Sequence, residues 1–544
     1  MLGHTVTRAV APIPAERRIN MKTIILLLTD ETKDEIDRSA IKSYLESEAV
    51  QSLIVPLPKD SREILAVSNL VKYGGFDSCM LVCSSDSDVV QSLKKALRLH
   101  PWACAILPID ALFGRLPSDQ SLEAAKLCIL VVASKLAASD VTKLAFKNIG
   151  QATEAISRRE LLSSFRRSFR TASSTPIILQ DRCASRLKAD GYCVNSCRYH
   201  AISRQGVTIT LSEERCVVCG ACATDCPVGA IQLPGASDPE LLSTIVAAST
   251  FEGGIDRITL LFACPEGMGD MTSSLAAAGS LKPGIIPITV PCVSAVNDSV
   301  LLSASAAGLG VALICTNENC QRHSPIALLR EHVLAVSRFL SPEEDAPTLL
   351  FHQANEGEEL AGTLVRFHDG LRQRRRRISL TVNDRRKALL KSFESAVDGR
   401  KPLEIEAELP FFSLDIDHNR CTLCGACMTW CSSKALSLAR YNGELAICCD
   451  SSLCVGCLDC QVLCPEHAIS VHRATVPDEV LERKPVPKIA GKMLRCEMCG
   501  AMLFPSTMVS HIKDKVSGWN SPILTDSLYL CSTCRRKRIA KTMY

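Results

Sequence analysis

The sequence predicts a multidomain chain of mixed α/β and α+β class. Two parallel α/β domains alternate with two small cysteine-rich domains, and a cysteine-paired tail closes the chain. Three observations predict this. Apolar runs alternate with helical patterns over 21–140 and again over 255–353, the pattern of buried parallel strands with crossover helices. The run C-x2-C-x2-C-x3-C starts at Cys216, Cys421 and Cys454. Two C-x2-C pairs start at Cys496 and Cys531.

Composition narrows the function classes. The 544 residues exceed one domain, and about three to five is the expectation. Most of the 29 cysteines fall in clusters of metal-ligand spacing that disulfides would not explain, so a reducing cytoplasm is expected. A net charge of +4 argues against bulk nucleic-acid binding, which rests on neutralising phosphates. No apolar run reaches the roughly 18 residues of a membrane span. Residues 1–20 show no apolar core of a signal peptide and read as a disordered tail, or as an upstream start before Met21.

Residues 21–140 contain the strand-like runs TIILLLT (23–29), SLIVPL (52–57), CMLVCS (79–84) and CAILPI (104–109). Cys79, Cys83, Cys104 and Cys128 are scattered inside apolar runs and read as small buried hydrophobes. The stretch LHPWACAILPIDALFGRLPSDQSLEAAKLCILVVASKLAA resembles the end of the N-terminal domain of the heterodisulfide reductase A subunit. That family holds a cluster with cysteines here. No comparable cysteine run lies near Met21–Lys33, so the resemblance implies a degenerate, metal-free version.

Residues 141–175 read as a polar helical linker, and 176–236 as a first cysteine-rich domain. RCVVCGACATDCPVGAI supplies Cys216, Cys219, Cys222 and Cys226. In such a run three thiolates grip one cubane and the fourth reaches a second. Upstream, aligning CRYHAI with CPVGAI makes Cys197 the fourth ligand of the Cys216, Cys219 and Cys222 set. Cys183, Cys193 and Cys226 remain for the other cluster. Three thiolates suit a [3Fe–4S] cluster, or a [4Fe–4S] cluster with a non-cysteine ligand such as Asp190. The pattern is similar to seven-iron ferredoxins.

Residues 255–353 return to α/β. RITLLFAC, IIPITVPC and GVALICT read as strands that place Cys264, Cys292 and Cys315 at one sheet edge. Cys320 follows Cys315 after four intervening residues and can fold back to them. Four thiolates suit a [2Fe–2S] cluster; the plainer reading is buried packing thiols. The order LLFACPEG, ITVPCVSAV, ALICTNENCQRHSP resembles the delta subunit of the methyl-viologen-reducing hydrogenase, a small iron–sulfur protein that passes electrons to heterodisulfide reductase. That family carries a second cysteine just after the first; here Pro265, Glu266 and Gly267 follow Cys264.

Residues 354–408 read as a charged connector with Arg374 to Arg377 and DRRKALLKSF. It is either a solvated face or a docking strip for an acidic redox protein. Residues 409–475 hold two complete runs, CTLCGACMTWC and CVGCLDCQVLCP, the pattern of bacterial dicluster ferredoxins. Cys421, Cys424, Cys427 and Cys464 would hold one [4Fe–4S] cluster; Cys454, Cys457, Cys460 and Cys431 the second. Gly425 and Gly456 suit loops whose amides face cluster sulfurs. Ser432 stands where the motif usually has proline. Cys448 and Cys449 read as packing or a spare thiol. In 476–544, Cys496, Cys499, Cys531 and Cys534 have the C-x2-C-x31-C-x2-C spacing of a zinc ribbon, with rubredoxin-like iron as the other metal and His511 as a further candidate ligand.

No G-x-G-x-x-G follows a strand, and there is no P-loop, H-E-x-x-H, nucleophile elbow or C-x3-C-x2-C. The expectation is an electron-transfer subunit of a multi-subunit oxidoreductase, with about five iron–sulfur clusters and no catalytic residues of its own. The resemblances imply a partner such as a hydrogenase, a formate dehydrogenase or a heterodisulfide-reductase-like enzyme, together with a flavoprotein or ferredoxin. The alternatives are a reductase acting at an open-site cluster and a zinc and iron–sulfur regulatory module.

Overall fold

The computed structural model describes residues 23–139 (short of 31–35, 49, 75, 85–86, 98 and 100), 175–184, 192–316 (short of 279–280), 320, 329–340 in part, 348–353, 360–397 (short of 373–374), 409–473 (short of 442–443), 477–516 and 528–542. The predicted N-terminal tail, Asp190 and nearly all of the predicted linker lie outside the described residues. The chain divides into two compact units. The first joins Met1–Leu179 to Ser212–Ala396, and the second joins Gln180–Leu211 to Val397–Tyr544. The predicted first cysteine-rich domain is thereby divided: Cys183, Cys193 and Cys197 belong to the second unit, Cys216 to Cys226 to the first.

The first unit contains two four-stranded sheets, both parallel. One runs Ser52–Pro56, Thr23–Thr29, Ser78–Cys83, Cys104–Pro108; the other runs Ile285–Thr289, Thr259–Ala263, Gly310–Cys315, Leu349–Gln353. Each therefore has the order second, first, third, fourth. Ile24 to Leu28 and Val311 to Ile314 are at most 1% exposed. Burial on both faces is why these strands are continuous apolar runs without alternation. The helix Ser118–Ala137 contacts strands of both sheets and packs along the helix Asp238–Thr250. That second helix opens on a capping box between Ser237 and Glu240.

Sequence reading located seven of these eight strands within three residues at either end. Leu349–Gln353 was missed, because two of its five residues, His352 and Gln353, are polar and shorten the apolar run to three. A larger difference concerns the predicted connector. Leu360–Gly370 and Arg385–Val397 are helices of the first unit, with Leu364, Ala388, Leu389 and Phe393 buried. Several arginines serve the interior. Arg375 donates to the carbonyls of Ala248 and Phe251 at the end of a helix (3.2 and 2.5 Å). Arg385 is buried and forks onto both oxygens of buried Asp238 (2.6–2.9 Å). Its remaining nitrogen donates to the carbonyls of Ala223 and Cys226, both at 2.6 Å. Arg377 alone among these three makes an exposed pair, with Glu252 at 3.0 Å.

In the second unit, Phe412–Ile416 pairs antiparallel with Ile469–Arg473. Leu436–Tyr441, Glu444–Cys449 and Val486–Gly491 form an antiparallel three-stranded sheet. Residues 180–211 contribute a one-turn helix, Tyr192–Asn195, and the hairpin Ile202–Gln205 with Thr208–Leu211. The described residues of the tail include a hairpin, Met493–Arg495 with Met502–Pro505, and the helices Ser506–Val516 and Ser532–Thr542.

Removing one partner of a buried ion pair strands the other. Arg385→Met should lower unfolding stability by about 3–5 kcal/mol. Arg377→Met, on the exposed pair, should cost at most ~1 kcal/mol. Paired urea titrations under anaerobic conditions check the contrast.

Candidate metal centres

The cysteine loops are built on backbone that most residues avoid. In CVVCG, Val218 and Gly220 have positive φ (58° and 84°); in CTLCG, Leu423 and Gly425 do (55° and 77°); in CVGCL, Gly456 and Leu458 do (65° and 66°). The third residue after each fourth cysteine does the same: His200, Gly229, Lys434 and His467. In each of those turns its amide donates back to the cysteine carbonyl, at 2.9–3.2 Å. Of the seven non-glycine residues with positive φ among those described, six lie in these turns. Strain of this kind persists where the surroundings over-determine it, and it clusters at functional sites.

The turns aim backbone amides at sulfur. Ala201, Ala230 and Ala468 donate to the Sγ of Cys197, Cys226 and Cys464 at 3.2, 3.1 and 3.3 Å. Leu423 donates to Cys421 at 3.4 Å. Such bonds favour thiolate over thiol and are one of the levers on cluster potential.

In the second unit the thiols gather crosswise. Burial pushes the Cys427 thiol up to about 12, and Cys421, Cys424 and Cys464 push it in the same direction. Burial pushes Cys457 up to about 11, with Cys454 and Cys431 adding to the shift. Cys460 is raised by burial and by Cys454, Cys457 and Cys431. Cys427 raises Cys460 as well, so the two groups of thiols also lie near each other. Thiols that raise one another's pKa are crowded negative charges in waiting, and a bound cation reverses that penalty. Cys449 is fully buried and hydrogen-bonds to Cys454, which holds its own thiol high. Cys448 lies on the other face of the same strand.

Residues 180–211 pack on the second of these sets. Ser432, in the place where proline is usual, donates its hydroxyl to the Ala184 carbonyl at 2.9 Å. The Tyr192 ring lies 5.8 Å from Phe412, whose ring occupies the space a side chain on Gly456 would need. Burial raises the Tyr192 phenol, and Cys454 and Cys457 raise it further. The residue next to Cys193 thus reaches the loop of Cys454 and Cys457. Arg204 comes within 3.9 Å of the Cys183 sulfur. Sequence reading passed over Tyr192; an aromatic directly before a ligand cysteine was the available signal.

In the first unit, Cys264 follows the strand Thr259–Ala263, Cys315 ends the next strand, and Cys292 lies just beyond the neighbour on the other side. Three thiols therefore stand at the carboxyl edge of three adjacent strands. Cys320, half-buried, follows Cys315. The Cys216–Cys226 loop is pressed against this edge. Ser294 donates to the Cys219 carbonyl at 2.5 Å and lies 3.2 Å from the Cys292 sulfur. Thr224 donates to the Ser294 carbonyl at 2.7 Å. A Cβ on Gly220 would fall 2.5 Å from the Ala295 Cβ, so only glycine permits the contact.

The tail gathers four thiols more tightly. The sulfurs of Cys496, Cys499, Cys531 and Cys534 lie within 4.8 Å of one another, and those of Cys499 and Cys531 are 3.7 Å apart. Four sulfurs at ~2.3 Å from one tetrahedral ion stand roughly 3.8 Å apart. Hydrogen bonds from backbone amides, that of Cys531 first, bring the Cys496 thiol down to about 6. His511 is not one of this group; it lies 3.1 Å from the Glu466 carboxylate. Cys79, Cys104 and Cys128 are buried. Burial pushes Cys104 up to about 11 and the other two upward, which keeps them neutral.

A family model described as a 4Fe-4S binding domain matches residues 209–232, the stretch that contains Cys216, Cys219, Cys222 and Cys226. No curated protein matches the chain. The match and the cysteine clusters fit an iron–sulfur protein. Among the described residues no helix is long and apolar enough to cross a membrane.

Cys534→Ser should lose one metal ion per chain and make 496–542 sensitive to protease, because a small domain of this kind draws its folding energy from the ion. Metal analysis and limited proteolysis check this. The absorbance of the iron–sulfur chromophore should stay unchanged.

Proposed function

We propose that the chain is an electron-relay subunit of a multi-subunit oxidoreductase, carrying about five iron–sulfur clusters and one structural zinc. The observation that carries it is the pairing of cysteine sites within each unit. Ser294 touches the Cys219 loop and Cys292 together, and Tyr192 joins the Cys193 segment to the Cys454 and Cys457 loop. Metal sites needed only for stability gain nothing from sharing contact residues; sites that hand on electrons do.

Cys421, Cys424, Cys427 and Cys464 would hold one [4Fe–4S] cluster, and Cys454, Cys457, Cys460 and Cys431 another. Cys216, Cys219, Cys222 and Cys197 would hold a third. Cys183, Cys193 and Cys226 would hold a [3Fe–4S] or open-site cluster, and Cys264, Cys292, Cys315 and Cys320 a [2Fe–2S] cluster. When bound, these groups supply one-electron chemistry. The chain's residues do the rest: thiolates fix each position, donated amides tune it, and buried contacts exclude water between neighbours. The tail cysteines would hold zinc, whose single oxidation state suits a structural role. The substrate reaction and the electron donor and acceptor belong to partner subunits of the hydrogenase, formate dehydrogenase or heterodisulfide-reductase kind.

Iron, sulfide and zinc analysis with EPR of anaerobically purified protein tests this. The expected content is roughly 17–18 iron and about one zinc per chain, with a [3Fe–4S] signal in the oxidised sample if the three-cysteine site holds that cluster. Iron near about 12, with [4Fe–4S] signals alone, would restrict the relay to the complete four-cysteine runs.

A further inference from the structure

A [4Fe–4S] cluster takes four thiolates. Around one set in the second unit the fold supplies a fifth thiol. Cys431, Cys454, Cys457 and Cys460 line one small cavity, walled elsewhere by Leu414 and Val471. That common space is what a cluster on this set requires. Cys449 stands outside the lining but belongs to the same buried core as Cys431, Cys454 and Cys460.

A turn brings Cys454 to it. The strand Glu444–Cys449 ends at Cys449, and the chain reverses at once. The Asp450 carbonyl accepts from the amides of Leu453 and Cys454, at 3.1 and 3.2 Å. The Asp450 carboxylate accepts from the Ser452 amide and hydroxyl, at 2.9 and 2.6 Å. The Asp450 amide is itself fixed on the Ala435 carbonyl at 2.9 Å. Cys454 therefore returns beside Cys449, and the two side chains hydrogen-bond. A sulfur that binds iron carries no proton, so with metal present Cys449 is the donor. A cation also faces it. Lys488, on the neighbouring strand Val486–Gly491, is held by Ser413 at 3.0 Å and Glu479 at 3.4 Å, and its charge favours the ionised form of Cys449. A thiol kept only as a small hydrophobe needs neither the hydrogen bond nor the cation.

We propose that Cys449 is a reserve ligand, which takes over the iron held by Cys454 when Cys454 releases it. The exchange breaks the bond from iron to the Cys454 sulfur and forms one to the Cys449 sulfur. The proton of Cys449 passes to Cys454 along the hydrogen bond, and no electron is gained or lost. Four thiolates remain on the site throughout. Both cysteines are buried, so neither sulfur has to come from solvent. This role rests on the relay reading, since it needs a cluster on Cys431, Cys454, Cys457 and Cys460.

Iron and sulfide analysis of the full chain, reconstituted anaerobically, tests it together with EPR of the reduced samples. Cys454→Ala should keep the iron content of the parent, with changed g-values for one [4Fe–4S] signal. Cys449→Val, which keeps the buried volume, should keep the iron as well. Combining the two substitutions should remove up to about four iron per chain, as should Cys457→Ala. A hydrogen bond donated to a ligand sulfur stabilises the reduced cluster, so Cys449→Val should also move one midpoint potential downward. Cys454→Ala losing as much iron as Cys457→Ala would overturn the proposal. Loss of iron in Cys449→Val alone, or unchanged potentials in that variant, would do the same. Iron unchanged in both Cys457→Ala and the double variant would mean that no cluster sits on this set, which removes the relay reading there along with the reserve ligand.

Discussion

The second unit depends on holding backbone in left-handed turns between cysteines. Five of its non-glycine residues do so at the cysteine loops: His200, Leu423, Lys434, Leu458 and His467. At about 1–2 kcal/mol each the strain is of order 5–10 kcal/mol, as large as the whole stability of an ordinary domain. Crowding adds to it, because the buried thiols of Cys427, Cys457 and Cys460 oppose one another's ionisation. Metal bound to these thiolates would offset the cost of ionising them side by side and would hold the turns, which would couple folding of this unit to metal binding.

The first unit meets the same demand with a different brace. Its one complete cysteine run, Cys216 to Cys226, is short and has a single strained non-glycine residue, Val218. Arg385 gathers the carbonyls at the end of that loop and neutralises itself on Asp238. Asp238 in turn accepts from Gln232 and Asn297, so four separate segments are tied at one carboxylate. The brace comes from a stretch whose composition suggests solvent: six of the ten residues in DRRKALLKSF are polar or charged. Nothing in a basic run distinguishes an arginine that meets water from one that meets a buried aspartate 147 positions away.

That contrast marks what was legible in the sequence. Central parallel strands buried on both faces leave continuous apolar runs, and seven of the eight strands could be placed from residue types alone. The tail's four thiols, two C-x2-C pairs in the sequence, are gathered by the fold at one place. Contacts between distant segments left no such trace. Tyr192 against Phe412 and Ser294 against Cys219 are single ordinary residues, and their meaning lies in what the fold brings beside them. Ser432 is an intermediate case. Its departure from proline was visible, but its use was not, since the Ala184 carbonyl it reaches lies 248 positions earlier.

The two sheets share one strand order and use its crevice in opposite ways. In such an order the carboxyl ends of the first and third strands diverge and leave a site. In the second sheet that edge holds Cys264 and Cys315. In the first, Arg38 forms a buried ion pair with Asp110, just past the fourth strand, and reaches Ser84, just past the third, at 3.4 Å. Asp110 also accepts the Ile36 amide at 2.8 Å. That buried ion pair stands at the carboxyl edge, the edge where the second sheet presents its thiols. The first sheet's outer edge, Cys104–Pro108, borders a cavity whose lining is mostly apolar and includes Lys94 and Lys135. One strand order thus serves two chemistries: one sheet presents thiols at its carboxyl edge, and the other holds a buried ion pair there.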